Sequence, residues 1–307
     1  MTAYFTEEHN MFRKSIRNFA ESELKPHADE WEAAEIFPKE IFAKFGKLGC
    51  LGIRFPEDYG GVGQDYWYTV ILCEELAKVH CLGAAIGVLV QTEMATSSIN
   101  EFGAEELKKE FLPSAISGEK IFALGITEPG FGSNAAGIQT AAKKDGGDYV
   151  INGAKTFISN GTRADFVTLA VRTGGPGSHG ISLVVFPTDT KGFTVSRKLK
   201  KMGTKCGDLA ELSFEDCRIP QRYLIGEDGK GFYYIMKCFQ GERIVLASFA
   251  NGLMELLLEE AKRYGLQREV FGTPVLKHGY WKQKYADMRT TEGLTLDAKR
   301  GSKTPAA

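Results

Sequence analysis

Residues 124–140 read LGITEPGFGSNAAGIQT. Within them, Gly130-Phe131-Gly132-Ser133-Asn134-Ala135 has the G-x-G-x-x-A spacing of a dinucleotide-binding turn. Such a turn works between a parallel strand and a helix whose N-terminus faces the pyrophosphate, with an acidic residue at the end of the next strand. Residues 121–126 can supply the first strand. Residues 138–144 that follow have no helical period, lead into a turn at Asp145-Gly146-Gly147 and leave no place for the acidic residue. The spacing therefore lacks its context. A plain β-turn would account for two glycines, but this stretch also concentrates Pro129 and the hydroxyls of Thr127 and Ser133. Close backbone approach with hydroxyl and N–H donors suits an anionic or polar cofactor.

The stretch heads a segment with strand character. Asn152-Gly153 and Asn160-Gly161, flanked by β-prone residues, predict two tight hairpins. Further short strands are expected at 165–172, 181–186, 193–196 and 210–214, with glycine-containing turns and no helix between them. Residues 121–228 thus predict a small antiparallel barrel or sandwich.

On either side the period is helical. Thr6 is a candidate N-cap for a helix with Phe12, Ile16, Phe19 and Ala20 on one face, and Pro38 opens another carrying Ile41, Phe42, Phe45 and Leu48. Residues 66–79 and 83–102 predict two more, the second apolar or small on nearly every face and so enclosed. From 229 the period returns with Val245, Phe249, Leu253 and Leu256, and a further helix runs from after Pro274 towards Met288. There the pattern breaks. The reading is a multidomain α+β chain: an N-terminal helical domain over 1–120, a middle β-domain over 121–228 and an incomplete C-terminal helical bundle over 229–289. A disordered tail over 290–307 follows, and the last two helices would show uncovered apolar faces.

The charges nearly cancel, 38 Lys and Arg against 39 Asp and Glu, so no basic face invites nucleic acid. The six cysteines form no C-x-x-C pair and the five histidines are scattered, so no metal site is expected and the thiols read as reduced. The first residues lack the apolar core of a signal peptide and carry acids that a transit peptide avoids. No apolar run is long enough to span a bilayer, and a cytoplasmic location is expected.

Five stretches in consistent order carry a resemblance over residues 5–289: LGITEPGFGSNAAGIQT, YVINGAKTFISNGTRADF, MGTKCGDLAELSFEDCRIP, GERIVLASFANGL and QREVFGTPV. They resemble the acyl-CoA dehydrogenase flavoproteins. The resemblance implies three domains, helical, β and helical, with FAD between the last two. It assigns Leu124, Ile126, Thr127, Gly132 and Ser133 to the loop along the flavin, with Thr127 near the ring and Ser133 near the pyrophosphate and the acyl-CoA. Phe157 and Ser159 match a second flavin-contacting strand, with phenylalanine where the family usually has tryptophan. Arg268 and Phe271 match residues that reach the FAD of a neighbouring subunit, which implies a homo-oligomer, a tetramer in the family. His278 is followed by Gly279 where the family often has glutamine.

The implied reaction is α,β-dehydrogenation of an acyl-CoA thioester, with electrons passed to an electron-transfer flavoprotein. Gly241-Glu242-Arg243 matches the isovaleryl- and long-chain-type arrangement, in which the catalytic base precedes an arginine in the first C-terminal helix. Glu242 is then the base, and Phe239 and Arg243 border the acyl-CoA channel. A surface Glu-Arg pair at a helix start is the structural alternative. An oxidase using oxygen directly and a catalytically silent shortened fragment are the functional alternatives.

Overall fold

Thr6 caps the first helix as its position suggests. Its hydroxyl accepts from the His9 backbone N–H at 3.4 Å, and its own N–H donates to the His9 ring at 3.1 Å. A histidine thus closes the reciprocal cap that glutamate or glutamine usually completes. The computed structural model describes the backbone of residues 5–301 and the side chains of residues 5–293.

In chain order the first helices are α1 (Glu7–Glu23), α2 (Ala28–Ala34), α3 (Glu40–Lys47) and α4 (Tyr66–Leu76). They are followed by α5 (Leu82–Leu89), α6 (Ser97–Phe102) and α7 (Glu105–Ile116). Strands β1 (Phe122–Gly125), β2 (Ala141–Asp145), β3 (Asp148–Ser159), β4 (Phe166–Arg172) and β5 (Ile181–Pro187) come next. Then come β6 (Phe193–Lys198), β7 (Leu209–Pro220), β8 (Leu224–Ile225) and the long helix α8 (Gly231–Gln267). A small hairpin, β9 (Glu269–Val270) with β10 (Thr273–Pro274), leads to α9 (Gly279–Gly301).

Contacts divide the chain into two units. A sheet unit comprises Pro26–Tyr66 and Cys81–Arg243, and a helical unit comprises Met1–Lys25, Trp67–His80 and Ile244–Ala307.

In the helical unit, Ile16 and Ala20 of α1, Val70, Ile71 and Leu76 of α4, and Val245 and Phe249 of α8 are buried. A Cβ on Gly252 would lie 2.3 Å from the Glu74 carbonyl oxygen, so glycine is what lets α8 meet α4 there. The Glu75 carboxylate is buried among Arg13, Arg17 and Lys78. Burial alone would raise its pKa, but the cations and their hydrogen bonds outweigh that and hold it below the ordinary value. Helix α9 passes the expected break at Met288 and continues to Gly301. The hydroxyls of Thr290 and Thr291 donate to the carbonyls of Ala286 and Asp287, so polar residues end the apolar period without ending the helix. The tail expected to be disordered from 290 is therefore helical as far as 301, and 302–307 lie outside the described residues.

In the sheet unit the strands pair in the order β6-β7-β3-β2-β4-β5-β8, with β1 also beside β4. The path has two ends among the described residues, so it is an open sheet and not a closed ring. It is also mixed, because β1 and β2 both run parallel to β4. They share one edge of it: Phe122–Gly125 lie beside Phe166–Leu169, and Ala141 beside Arg172. The stretch 126–140 is thus an excursion between two pieces of a single edge.

Neither expected Asn-Gly hairpin forms. Strand β3 runs through Asn152-Gly153 with a bulge, where Gly153 has φ 152° and a Cβ would sit 2.6 Å from the Thr140 hydroxyl. Asn160 takes the left-handed turn conformation, φ 61°, but β3 pairs with β2 and β7 and not with the following strand. The Asn160 side chain is buried and donates to the carbonyls of Gly87 and Phe122. The β2–β3 hairpin turns instead at Gly146-Gly147.

One face of the sheet packs under α6, α7 and the start of α8. There Ile99, Leu107 and Phe111 meet Phe122, Val185 and Tyr234. Residues 83–102 do not form one helix: α5 and α6 flank a π-helical segment, Val90–Ala95. Its Gln91 side chain donates to the Ala115 and Lys120 carbonyls and accepts from the Phe122 N–H, which fixes where β1 begins.

Candidate active site

The excursion 126–140 is held at three points. The Thr156 N–H donates to the Thr127 carbonyl at 2.9 Å, joining the loop to β3. Glu128 and Phe131 exchange two backbone hydrogen bonds of 3.0 Å across Pro129-Gly130. At the far end, Arg172 donates to the Ile138 and Ala136 carbonyls, both at 2.8 Å.

Beneath the loop lies a pair that the sequence reading did not single out. The Glu128 carboxylate accepts from the N–H groups of Gln139 and Thr140 at 2.7 and 2.9 Å and from Lys155 Nζ at 2.9 Å. Lys155, with no exposed surface, also donates to the Ile126 carbonyl at 3.0 Å. Burial pulls the Lys155 ammonium down to about 8, opposed by the Glu128 charge, so the pair is ionised at neutral pH. Burial also pushes Glu128 up, but the Lys155 charge and the donors at 139, 140 and 155 carry it below the ordinary value. The alternation of β3 offered a signal: Lys155 falls in period-two phase with the buried Tyr149 and Ile151.

Above this support the expected contact residues divide between the surface and the core. Ser133 and Gly132 are exposed, Thr127 and Ser159 are half-buried, and Ile126 and Leu124 pack into the apolar cluster under the sheet. A Cβ on Gly130 or Gly132 would meet nothing within 4 Å, so the protein's own packing does not require glycine at either position. The side chains of Thr127, Ser133 and Ser159 make no hydrogen bond among the described residues. Phe157 is 62% exposed, at a β3 register shift, with φ 59°. A bulky residue pays for that left-handed backbone, so an exposed ring held there is strain of the kind found at ligand sites. Open surface beside two glycines, unused hydroxyls and a presented aromatic face fit a group with a flat ring and an anionic tail.

Helix α8 adds the acid. Tyr234 and Ile235 bury its first turns in the cluster that also takes Leu124, Phe131 and Phe239. Glu242 lies about three turns into α8, not at a helix start, and forms no ion pair with Arg243. Burial is the main cause that pushes its carboxyl up to about 7; the Glu93 charge adds to this and the neighbouring Arg243 opposes it. Arg243 itself is exposed. Arg268 and Phe271 belong to the helical unit, where Phe271 is 96% exposed at φ 54° on the β9–β10 hairpin. Nearby, His278 Nε2 lies 3.1 Å from the Val270 carbonyl oxygen. Among the described residues no helix is long and apolar enough to cross a membrane.

The chain matches three family models: the N-terminal domain of acyl-CoA dehydrogenases at residues 6–119, the middle domain at 123–217 and the C-terminal domain at 229–294. It is 40% identical over 289 residues to the mitochondrial long-chain specific acyl-CoA dehydrogenase of Sus scrofa, covering 93% of this chain and 67% of that one. The acyl-CoA dehydrogenase structure from Geobacillus kaustophilus superposes with a TM-score of 0.92 at 42% identity, covering 96% of this chain and 78% of that one. A glutaryl-CoA dehydrogenase from Mycobacterium smegmatis, solved in complex with FADH2, superposes at 0.89 with 31% identity, covering 96% and 75%. The N-terminal, middle and C-terminal domain models match in that order along the helical, sheet and helical segments, and the chain belongs to the acyl-CoA dehydrogenase family of oxidoreductases.

Proposed function

We propose that the chain is an FAD-dependent acyl-CoA dehydrogenase that converts an acyl-CoA thioester to the trans-2-enoyl-CoA, with Glu242 as base. The observation that carries the reading is Glu242 itself: a half-buried carboxylate, without an ion-pair partner among the described residues, raised to about 7. A general base works best with its pKa near the working pH.

Leu124, Ile126, Thr127, Gly132, Ser133, Phe157 and Ser159 would hold FAD, whose ring, when bound, accepts the β-hydride. With FAD bound, Thr127 of the braced loop would serve the ring and the Ser133 hydroxyl the pyrophosphate, and the exposed Phe157 ring would offer an aromatic face. Ser133, Phe239 and Arg243 line the path of the acyl-CoA. Glu242 removes the α-proton. Arg268 and Phe271, exposed at their hairpin, would help hold the cofactor of a neighbouring copy in a homo-oligomer. The electrons pass to an electron-transfer flavoprotein. The domain division that goes with this reading is 1–120, 121–228 and 229–289.

The test is the visible spectrum of the purified chain, followed by anaerobic addition of acyl-CoA. A yellow protein that bleaches supports the reading, and a colourless one refutes it for this chain. Rapid reoxidation of the bleached protein in air would point to an oxidase in place of a dehydrogenase.

A further inference from the structure

Taking Glu242 as the base, the contacts that hold its backbone reach back to a buried acid on the π-helical segment. The π-helical segment Val90–Ala95 carries a buried acid, Glu93, 4% exposed. Glu93 Oε2 accepts from Arg54 Nη2 at 2.7 Å. The Arg54 guanidinium lies 4.5 Å above the centre of the Tyr66 ring. The Tyr66 hydroxyl in turn donates to the Gly241 carbonyl at 2.8 Å, one residue before Glu242. Four residues from distant parts of the sequence thus form one chain of contacts ending at the backbone of the base.

Three details mark this as more than an isolated ion pair. Glycine inside a helix costs about 1 kcal/mol relative to alanine. At Gly241 a Cβ would come within 3.2 Å of the Tyr66 hydroxyl, so the glycine keeps the way open for that hydrogen bond. Arg54 Nε, although buried, has no hydrogen-bond partner. The guanidinium is therefore committed to one carboxylate and one ring, the arrangement expected where its orientation is fixed by stacking. π-Helical segments also occur often at functional sites, where the extra residue redirects side chains.

We propose that Glu93 is a positioning residue for Glu242, acting through Arg54 and Tyr66 on the Gly241 carbonyl and through space on the carboxylate of the base. The charges that bear on Glu242 are Arg243 on its own helix, which favours the ionised form, and Glu93 from the π segment, which opposes it. Cys238, one turn earlier on α8, is a half-buried thiol that desolvation raises to about 11. Removing the Glu93 charge withdraws a repulsion and leaves Arg54 uncompensated. Both changes favour ionised Glu242, so they lower its midpoint.

The experiment is an NMR titration of the intact chain with glutamate carboxyls labelled in carbon-13, the Glu242 signal being identified by its loss in Glu242→Gln. This readout needs neither cofactor nor substrate. Glu93→Gln should move the Glu242 midpoint down by about one pH unit, and Glu93→Asp, which keeps the charge, should move it by less than half of that. Tyr66→Phe should lower the rate of acyl-CoA-dependent bleaching about tenfold with KM unchanged. If Glu93→Gln does not fold, Gly241→Ala, which introduces a better helix former, tests the same contact through displacement of Tyr66. A Glu242 midpoint unmoved in Glu93→Gln, or bleaching unaffected by both Tyr66→Phe and Gly241→Ala, overturns the proposal. Bleaching retained in Glu242→Gln would instead remove the base assignment, and the titration distinguishes the two failures.

Discussion

Phe157 combines two costs: a left-handed backbone and a ring 62% exposed to solvent. Neither is explained by packing, and both are explained if the ring is a binding surface. Replacing it with glycine should therefore separate stability from binding. Glycine takes the left-handed conformation without a Cβ penalty, so Phe157→Gly is expected to raise stability to urea by about 1 kcal/mol while weakening FAD retention severalfold. Glu242 gives a second test. If Glu242 is the base, a carboxyl raised to about 7 must be ionised to work, so bleaching rates should climb as pH rises through about 7 and level off above it. The stability effect has the opposite sign. The folded value lies above the ordinary 4.5, so the fold holds a proton that the unfolded chain has released. That contribution is fully present below about 4.5 and is lost as pH rises through about 7. Urea midpoints of the parent chain and Glu242→Gln should diverge across this window, the parent losing stability.

The loop 126–140 is readable in part. Its glycines and hydroxyls stand out in the sequence, and its distinction from a dinucleotide turn follows from what comes after it. What fixes its shape does not stand out, because Lys155 reaches Glu128 and the Ile126 carbonyl from a different strand. Lys155→Met would leave the Glu128 charge buried among backbone donors but without its cation, at a cost of about 3–5 kcal/mol. Combining it with Glu128→Gln should recover a large share of that loss, as read from paired urea titrations. The Asn-Gly pairs illustrate the converse. Their local preference for a tight turn is real, but at 152–153 it is spent on a bulge in β3 against Thr140, and at 160 on a buried side chain tying Gly87 to Phe122.

The helical unit presents Leu246, Leu257, Tyr264, Trp281 and Met288 to solvent. Met254, Leu257, Leu258 and Met288 line an apolar groove between α8 and α9. Apolar surface gathered in this way favours association. The chain is expected to self-associate with rising concentration in sedimentation velocity, and Leu257→Lys to shift that equilibrium towards the monomer. An unchanged distribution would mean that this face does not drive assembly.

The helical, sheet and helical order, the capped first helix and the glycine-rich stretch at 126–140 are legible from residue order. Period, capping residues and glycine placement are local properties, so the sequence carries them directly. The open mixed sheet, the brace beneath the loop and the surroundings of Glu242 could not be read in that way. Each depends on residues brought together from far apart: β1 and β2 on one edge of β4, Lys155 on Glu128, Arg54 and Glu93 near Gly241. A carboxylate becomes a base near neutral pH through burial and neighbouring charge, and both exist only once the chain has folded.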